Sequence, residues 1–127
     1  MDNNIIFTGS WGSKDKGVKV RLPLIFFTED DNQIVYCPAL EITGYGKTEG
    51  EARQSFEISL DQFLAYTIHK NTFHCELRKL GWKLRGKKKP AHPPTMQHLL
   101  ENNENFNRIF NEYSFRKVDE QFEIPAV

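Results

Sequence analysis

The chain of 127 residues has little cysteine, no excess of either charge and no long apolar run, and each shortage excludes something. Two cysteines, Cys37 and Cys75, are too few for a disulfide framework, so a reducing compartment is expected. Seventeen Lys and Arg balance seventeen Asp and Glu. Any electrostatic case for nucleic acid or a membrane surface must therefore be local. No apolar run approaches the length that spans a bilayer, so no membrane partner is expected. The start, MDNNIIFTGSWG, has no basic stretch and only three consecutive apolar residues, Ile5 to Phe7. A signal peptide is not expected, and a cytoplasmic location is.

What is present points to a folded chain. Ten Phe and 13% aromatic residues favour a packed core over disorder, and the length fits one domain or a small domain with an appended piece. Residues 8–17, TGSWGSKDKG, read as a loop, which leaves Ile5 to Phe7 as a short peripheral strand. From Val18, the residues Val20, Leu22, Leu24 and Phe26 alternate with Lys19, Arg21 and Pro23, the period of a half-buried strand. Pro23 places that strand at an edge or marks an unpaired position. TEDDN is a turn, QIVYC a second strand and LEITGYG a third.

Thr48 followed by Glu51 forms the pattern of a capping box, and Ala52, Phe56, Leu60, Phe63 and Thr67 make one helical stripe. A β-β-β-α unit is thus predicted over residues 18–70, after an N-terminal loop and peripheral strand in 1–17. Residues 71–127 form an extension: a short helix stopped at Gly81, a basic strand or arm, a helix broken by an Asn-rich middle, and a terminal strand. That strand carries Val118, Glu120, Phe122 and Ile124 on one side.

Few residues suggest chemistry. Gly46-Lys47-Thr48 fits the end of a phosphate-binding loop, but Glu41 stands where the first Gly is required. A carboxylate there repels phosphate, so nucleotide binding is not expected and the stretch reads as a strand-to-helix turn. His69, His74, Cys75, His92 and His98 lack the paired short spacing of a zinc site, and Cys75 lacks the setting of a nucleophile. No metal, cofactor or catalytic residue is expected. Glu29, Asp30 and Asp31 read as hairpin-turn residues that can also meet a cationic partner. Arg78, Lys79, Lys83, Arg85, Lys87, Lys88 and Lys89 put seven cations into twelve residues around Trp82, a local patch able to meet phosphates or an acidic surface.

The stretches VRLPLIFFTEDDNQIVYCPAL and GYGKTEGEARQSFEISLDQFL together resemble the HicB family of antitoxins. The resemblance rests on Cys37-Pro38-Ala39-Leu40, a Gly-rich third strand, and the helix start Gly46-Lys47-Thr48-Glu49-Gly50-Glu51-Ala52. It covers residues 18–70. It implies an α+β fold of the shortened RNase H-like kind, a domain that forms homo-oligomers, binds a small toxin-like protein, and in many members also binds operator DNA. Residues 71–127 match neither a helix-turn-helix nor a ribbon-helix-helix. LRKLGWKL is similar to the start of the partner toxins, but the Gly-Ser-His of those nucleases is absent, with His92 the only candidate.

The expected function is therefore a non-catalytic binding module, with strand edges and the acidic turn as its means. The alternatives are a nucleic-acid-binding regulator acting through residues 78–89 and, further off, an RNA-cleaving enzyme.

Overall fold

The computed structural model describes residues 6–8, 17–84 and 92–125. In chain order these form β1 (Ile6–Thr8), β2 (Gly17–Glu29), β3 (Asn32–Cys37), β4 (Ile42–Gly46), α1 (Glu49–His69), α2 (Phe73–Lys79), α3 (Met96–Asn102), α4 (Glu104–Glu112) and β5 (Phe115–Pro125). The fold is α+β. One five-stranded sheet runs β1-β5-β2-β3-β4; each neighbouring pair among the last four is antiparallel, and β1 lies parallel to β5.

The meander β2-β3-β4 followed by α1 is the unit read from the sequence. Residues 38–41 form a turn, so the third strand starts at Ile42 instead of Leu40. The extension does not stand apart: β5 pairs with β2 from Gly17↔Pro125 to Phe27↔Phe115. That places β2 inside the sheet, which overturns the edge position allowed by Pro23. The other option holds, because β3 pairs with β2 only from Ile25 onward, and Pro23 has a partner on the β5 side alone.

Helix α1 covers one face of the sheet. Its residues Ala52, Phe56, Leu60 and Leu64 meet Leu22, Leu24, Phe26, Val35, Cys37, Phe122 and Ile124 in the main core. Leu64 takes a place in the stripe beside Phe63, which packs at the core margin. The second face is covered in part by α3 and α4, whose Leu99, Phe106 and Ile109 bury Ile25, Phe27 and Tyr36. Strand β2 is therefore buried on both faces along LIFF (24–27) and on one face before it.

Thr48 caps α1 as its pattern requires, its Oγ1 accepting from the Glu51 N–H at 3.1 Å. The Glu51 carboxylate reaches back one residue further than the usual box and accepts from the Lys47 N–H at 2.8 Å. Thr48→Ala is expected to lower stability by about 1 kcal/mol, read as a shifted urea midpoint at unchanged slope; an unmoved midpoint would show the cap to be idle. At the other end Asn71 takes φ 61° and the Thr72 N–H bonds the Thr67 carbonyl at 2.8 Å, a Schellman closure that turns the chain into α2. α2 ends the same way. Gly81 has φ 100°, and the Trp82 N–H bonds the Leu77 carbonyl at 3.0 Å.

Candidate partner-binding surfaces

The acidic hairpin is tighter than a five-residue turn. Glu29 and Asn32 pair, and the two residues between them, Asp30 and Asp31, both have positive φ (51° and 65°). This is the backbone of a type I′ turn, whose twist suits a two-residue hairpin. Its tip presents both aspartates to solvent. Glu29 is turned back instead: its carboxylate accepts from the Tyr113 hydroxyl at the end of α4, and Arg108 lies over the same ring at 5.6 Å. The Glu29 bond raises the Tyr113 phenol above its ordinary pKa. Of the acidic triplet, then, Asp30 and Asp31 are free to meet a partner and Glu29 is bound within the fold.

The Cys37-Pro38-Ala39-Leu40 turn is wholly internal. Cys37, Ala39 and Leu40 lie in the core. Burial pushes the Cys37 thiol up to about 12, so it is protonated at neutral pH and no nucleophile. The Ala39 carbonyl accepts from the Trp82 indole N–H at 2.8 Å, and Trp82 is only 3% exposed. The indole at the centre of the basic stretch is thus a core residue that ties the extension to this turn, and it cannot stack on a base.

Beside it, Glu41 adopts φ 56° and its carboxylate accepts from Tyr36 Oη at 2.6 Å, Asn103 Nδ2 at 2.7 Å and Asn105 Nδ2 at 3.2 Å. Burial first, and the Glu41 contact second, raise the Tyr36 phenol far above its ordinary range. Asn103 also caps α4, accepting from the Phe106 N–H at 3.0 Å. Glu41, which counted against a phosphate loop, in fact fastens the 38–41 turn to the junction of α3 and α4. A cleft of about 360 Å³ opens there, lined by Pro38, Glu41, Lys79, His98, Asn102 and Asn103 among others.

Of the basic residues, Arg78, Lys79 and Lys83 are exposed. Lys83 forms an antiparallel bridge with His92, which brings the two ends of the intervening segment side by side. Arg85, Lys87, Lys88 and Lys89 lie outside the described residues. His69, His74, Cys75, His92 and His98 do not converge; among the described residues no group of three His, Cys, Asp or Glu could hold a metal ion. None of the described helices is long and apolar enough to cross a membrane.

Two features escaped the sequence reading. The first is an ion pair with a buried carboxylate: Glu120 of β5 accepts from both terminal guanidinium nitrogens of the half-buried Arg53 of α1, at 3.2 and 2.8 Å. The bond to Glu120 raises the Arg53 pKa further. Its signal was Glu120 itself, a charge within an otherwise apolar strand face. The second is exposed apolar surface: Tyr45 of β4 and Ile58 and Tyr66 of α1 are 65%, 55% and 64% exposed.

No protein-family model matches the chain, and no curated protein and no solved structure matches it. The architecture defines an α+β protein.

Proposed function

We propose that the chain is a non-catalytic binding module of the HicB-like antitoxin type, which covers a small basic partner protein. The observation that carries this is charge segregation. Residues 78–89 hold seven of the seventeen Lys and Arg and none of the Asp and Glu, which leaves ten cations against seventeen anions over the rest of the chain. A body of that balance, with Asp30 and Asp31 at an exposed tip, attracts a cationic protein and speeds its encounter. The β-β-β-α order and the buried Cys37-Pro38-Ala39-Leu40 turn support the family resemblance. In this reading the chain neutralises its partner and can also regulate its own expression.

The test is co-expression with the product of a small basic reading frame beside this one, followed by titration of the purified pair. Asp30→Asn with Asp31→Asn is expected to weaken association about tenfold at low salt and to flatten its salt dependence. Asn tolerates positive φ as Asp does, so the hairpin survives the change. Unaltered affinity would place the contact elsewhere, and failure of any such product to bind would remove the antitoxin reading. Nucleic-acid binding through residues 78–89 is the alternative. With Trp82 in the core it would rest on phosphate contacts alone, and it wins if labelled duplex binds at low salt while no protein partner does.

A further inference from the structure

The two apolar clusters of the protein share no buried residue. Successive residues of β2 alternate between them: Leu24 and Phe26 face α1, Ile25 and Phe27 face α3 and α4. The smaller cluster is closed by three buried side chains of those short helices, Leu99, Phe106 and Ile109. Lifting α3 and α4 would therefore expose Ile25, Phe27 and Tyr36 and leave the α1 side of the sheet covered.

The segment that carries them, residues 93–114, is fixed at both ends by backbone. His92 exchanges two backbone bonds with Lys83, each 2.9 Å, and Phe115 pairs with Phe27. Between these points many polar contacts are internal. Thr95 and Asn103 cap the two helices, Asn102 donates to the His98 carbonyl, and Asn107 donates to the Leu100 carbonyl. Among the described residues no ion pair involves the segment. Its side-chain hydrogen bonds to the rest of the protein, among the same residues, run to two places. Asn103 and Asn105, in the first turn of α4, donate to Glu41, and Asn103 also donates to Tyr36 Oη at 3.1 Å. Tyr113, at the far end of α4, donates to Glu29. Helix α4 is thus held at each end by a carboxylate, while on α3 His98 only rests against Gly81, without a hydrogen bond between them.

The two sides of the sheet differ in what opening would cost. Lifting α1 would strand Glu120, a carboxylate buried against Arg53. Lifting α3 and α4 strands no charge: Glu41 is exposed and Glu29 half-buried, so water takes the place of the lost donors. The helices have seven and nine residues, below the roughly 12–15 at which a helix holds by itself in water. They melt when they lift, so undocking and unfolding of the segment are one step.

We infer that residues 93–114 are a strap, latched by Glu41 and Glu29, which opens as one unit from the β2–β3 face while α1 and the sheet stay folded. Opening uncovers an apolar face that runs up to the Asp30–Asp31 hairpin, and the two latches set how often that face is reached. The device lies within one chain and stands whether or not a toxin-like partner exists.

The experiment is native-state hydrogen exchange on the full chain, at urea concentrations below the global midpoint. The amides of Leu99, Asn103, Asn107 and Tyr113, each bonded to a carbonyl within the strap, report its opening. Those of Leu60 and Leu64, buried on α1, report the core. The strap amides are expected to exchange as one group, at least about a hundredfold faster than the core amides and with a shared urea slope smaller than the global one. Tyr113→Phe removes the Glu29 latch, and Glu41→Gln sets an amide against those of Asn103 and Asn105. Both act on the closed state, which lies below the open and the unfolded states alike, so each should speed strap and core amides together, about threefold to tenfold. Thr48→Ala weakens α1, which stays folded when the strap opens. It should speed the core amides about fivefold and leave the strap amides unchanged. Strap and core amides that exchange at one common rate overturn the inference, as do strap amides that exchange singly without urea dependence. So does a Thr48→Ala effect of equal size on both groups, or a strap that neither latch variant speeds.

Discussion

Gly44→Ala is expected to destabilise the protein by about 3 kcal/mol, at the upper end for overpacking a core and a large part of the 5–15 kcal/mol by which a domain of this size is folded. A Cβ on Gly44 would sit 2.2 Å from the Phe56 nitrogen, 2.5 Å from the Ala52 carbonyl oxygen and 2.6 Å from the Phe56 Cα. All three are backbone atoms of α1, so no side chain can swing aside. Relief requires the helix to lift from β4, which opens the contacts of Ala52 and Phe56 with the sheet. Gly50, on the first turn of the same helix, is the control. Its nearest neighbour to an added Cβ is the Thr48 hydroxyl at 3.9 Å, and Gly50→Ala is expected to be neutral or to stabilise by up to about 1 kcal/mol. The urea midpoints of the two variants should move in opposite directions or differ sharply; equal midpoints would mean that α1 does not approach β4 this closely.

That close approach accounts for the Gly-rich third strand, a feature visible in the sequence without its reason. Much of the fold was legible in the same way. The alternation from Val18 to Phe26, the Thr48–Glu51 cap and the stripe Ala52-Phe56-Leu60 depend on neighbours within a few residues, and local patterning records them directly. The second face of β2 was not legible. Leu24-Ile25-Phe26-Phe27 has no period, and the residues that bury Ile25 and Phe27 arrive more than seventy positions later, on α3 and α4. Pro23 suggested an edge because a missing N–H does not say which side lacks the partner. Trp82 was misleading for a different reason: Arg78, Lys79 and Lys83 beside it in sequence stay at the surface, while the Schellman turn at Gly81 drives the indole inward to Ala39. The acidic triplet divided for a reason equally remote, since the residue that claims Glu29 is Tyr113, eighty-four positions on.

Arg53→Ala is expected to cost about 3–5 kcal/mol, the largest effect of any single substitution considered for this chain. The carboxylate of Glu120 is 2% exposed and is held by a two-point guanidinium contact across sixty-seven residues of sequence. Truncating the arginine leaves that carboxylate buried without its cation, and the lost desolvation compensation outweighs the modest value of the bond itself. Arg53 also lies over the Phe26 ring at 4.9 Å and pairs with Glu49 at 3.6 Å, but these partly exposed contacts contribute about 1 kcal/mol or less each. The distinction can be measured. If the penalty is a stranded charge, replacing both partners, Arg53→Met with Glu120→Leu, is expected to restore stability to within about 1 kcal/mol of the wild type, since the face around Glu120 is already apolar through Val118, Phe122 and Ile124. A double-mutant cycle in urea then gives a coupling energy of about 3 kcal/mol that persists in molar salt, because a buried pair is screened little. A coupling below 0.5 kcal/mol, roughly the size of a surface ion pair, or one that vanishes with salt, would show that water reaches Glu120 and that α1 is held to β5 by its apolar contacts alone.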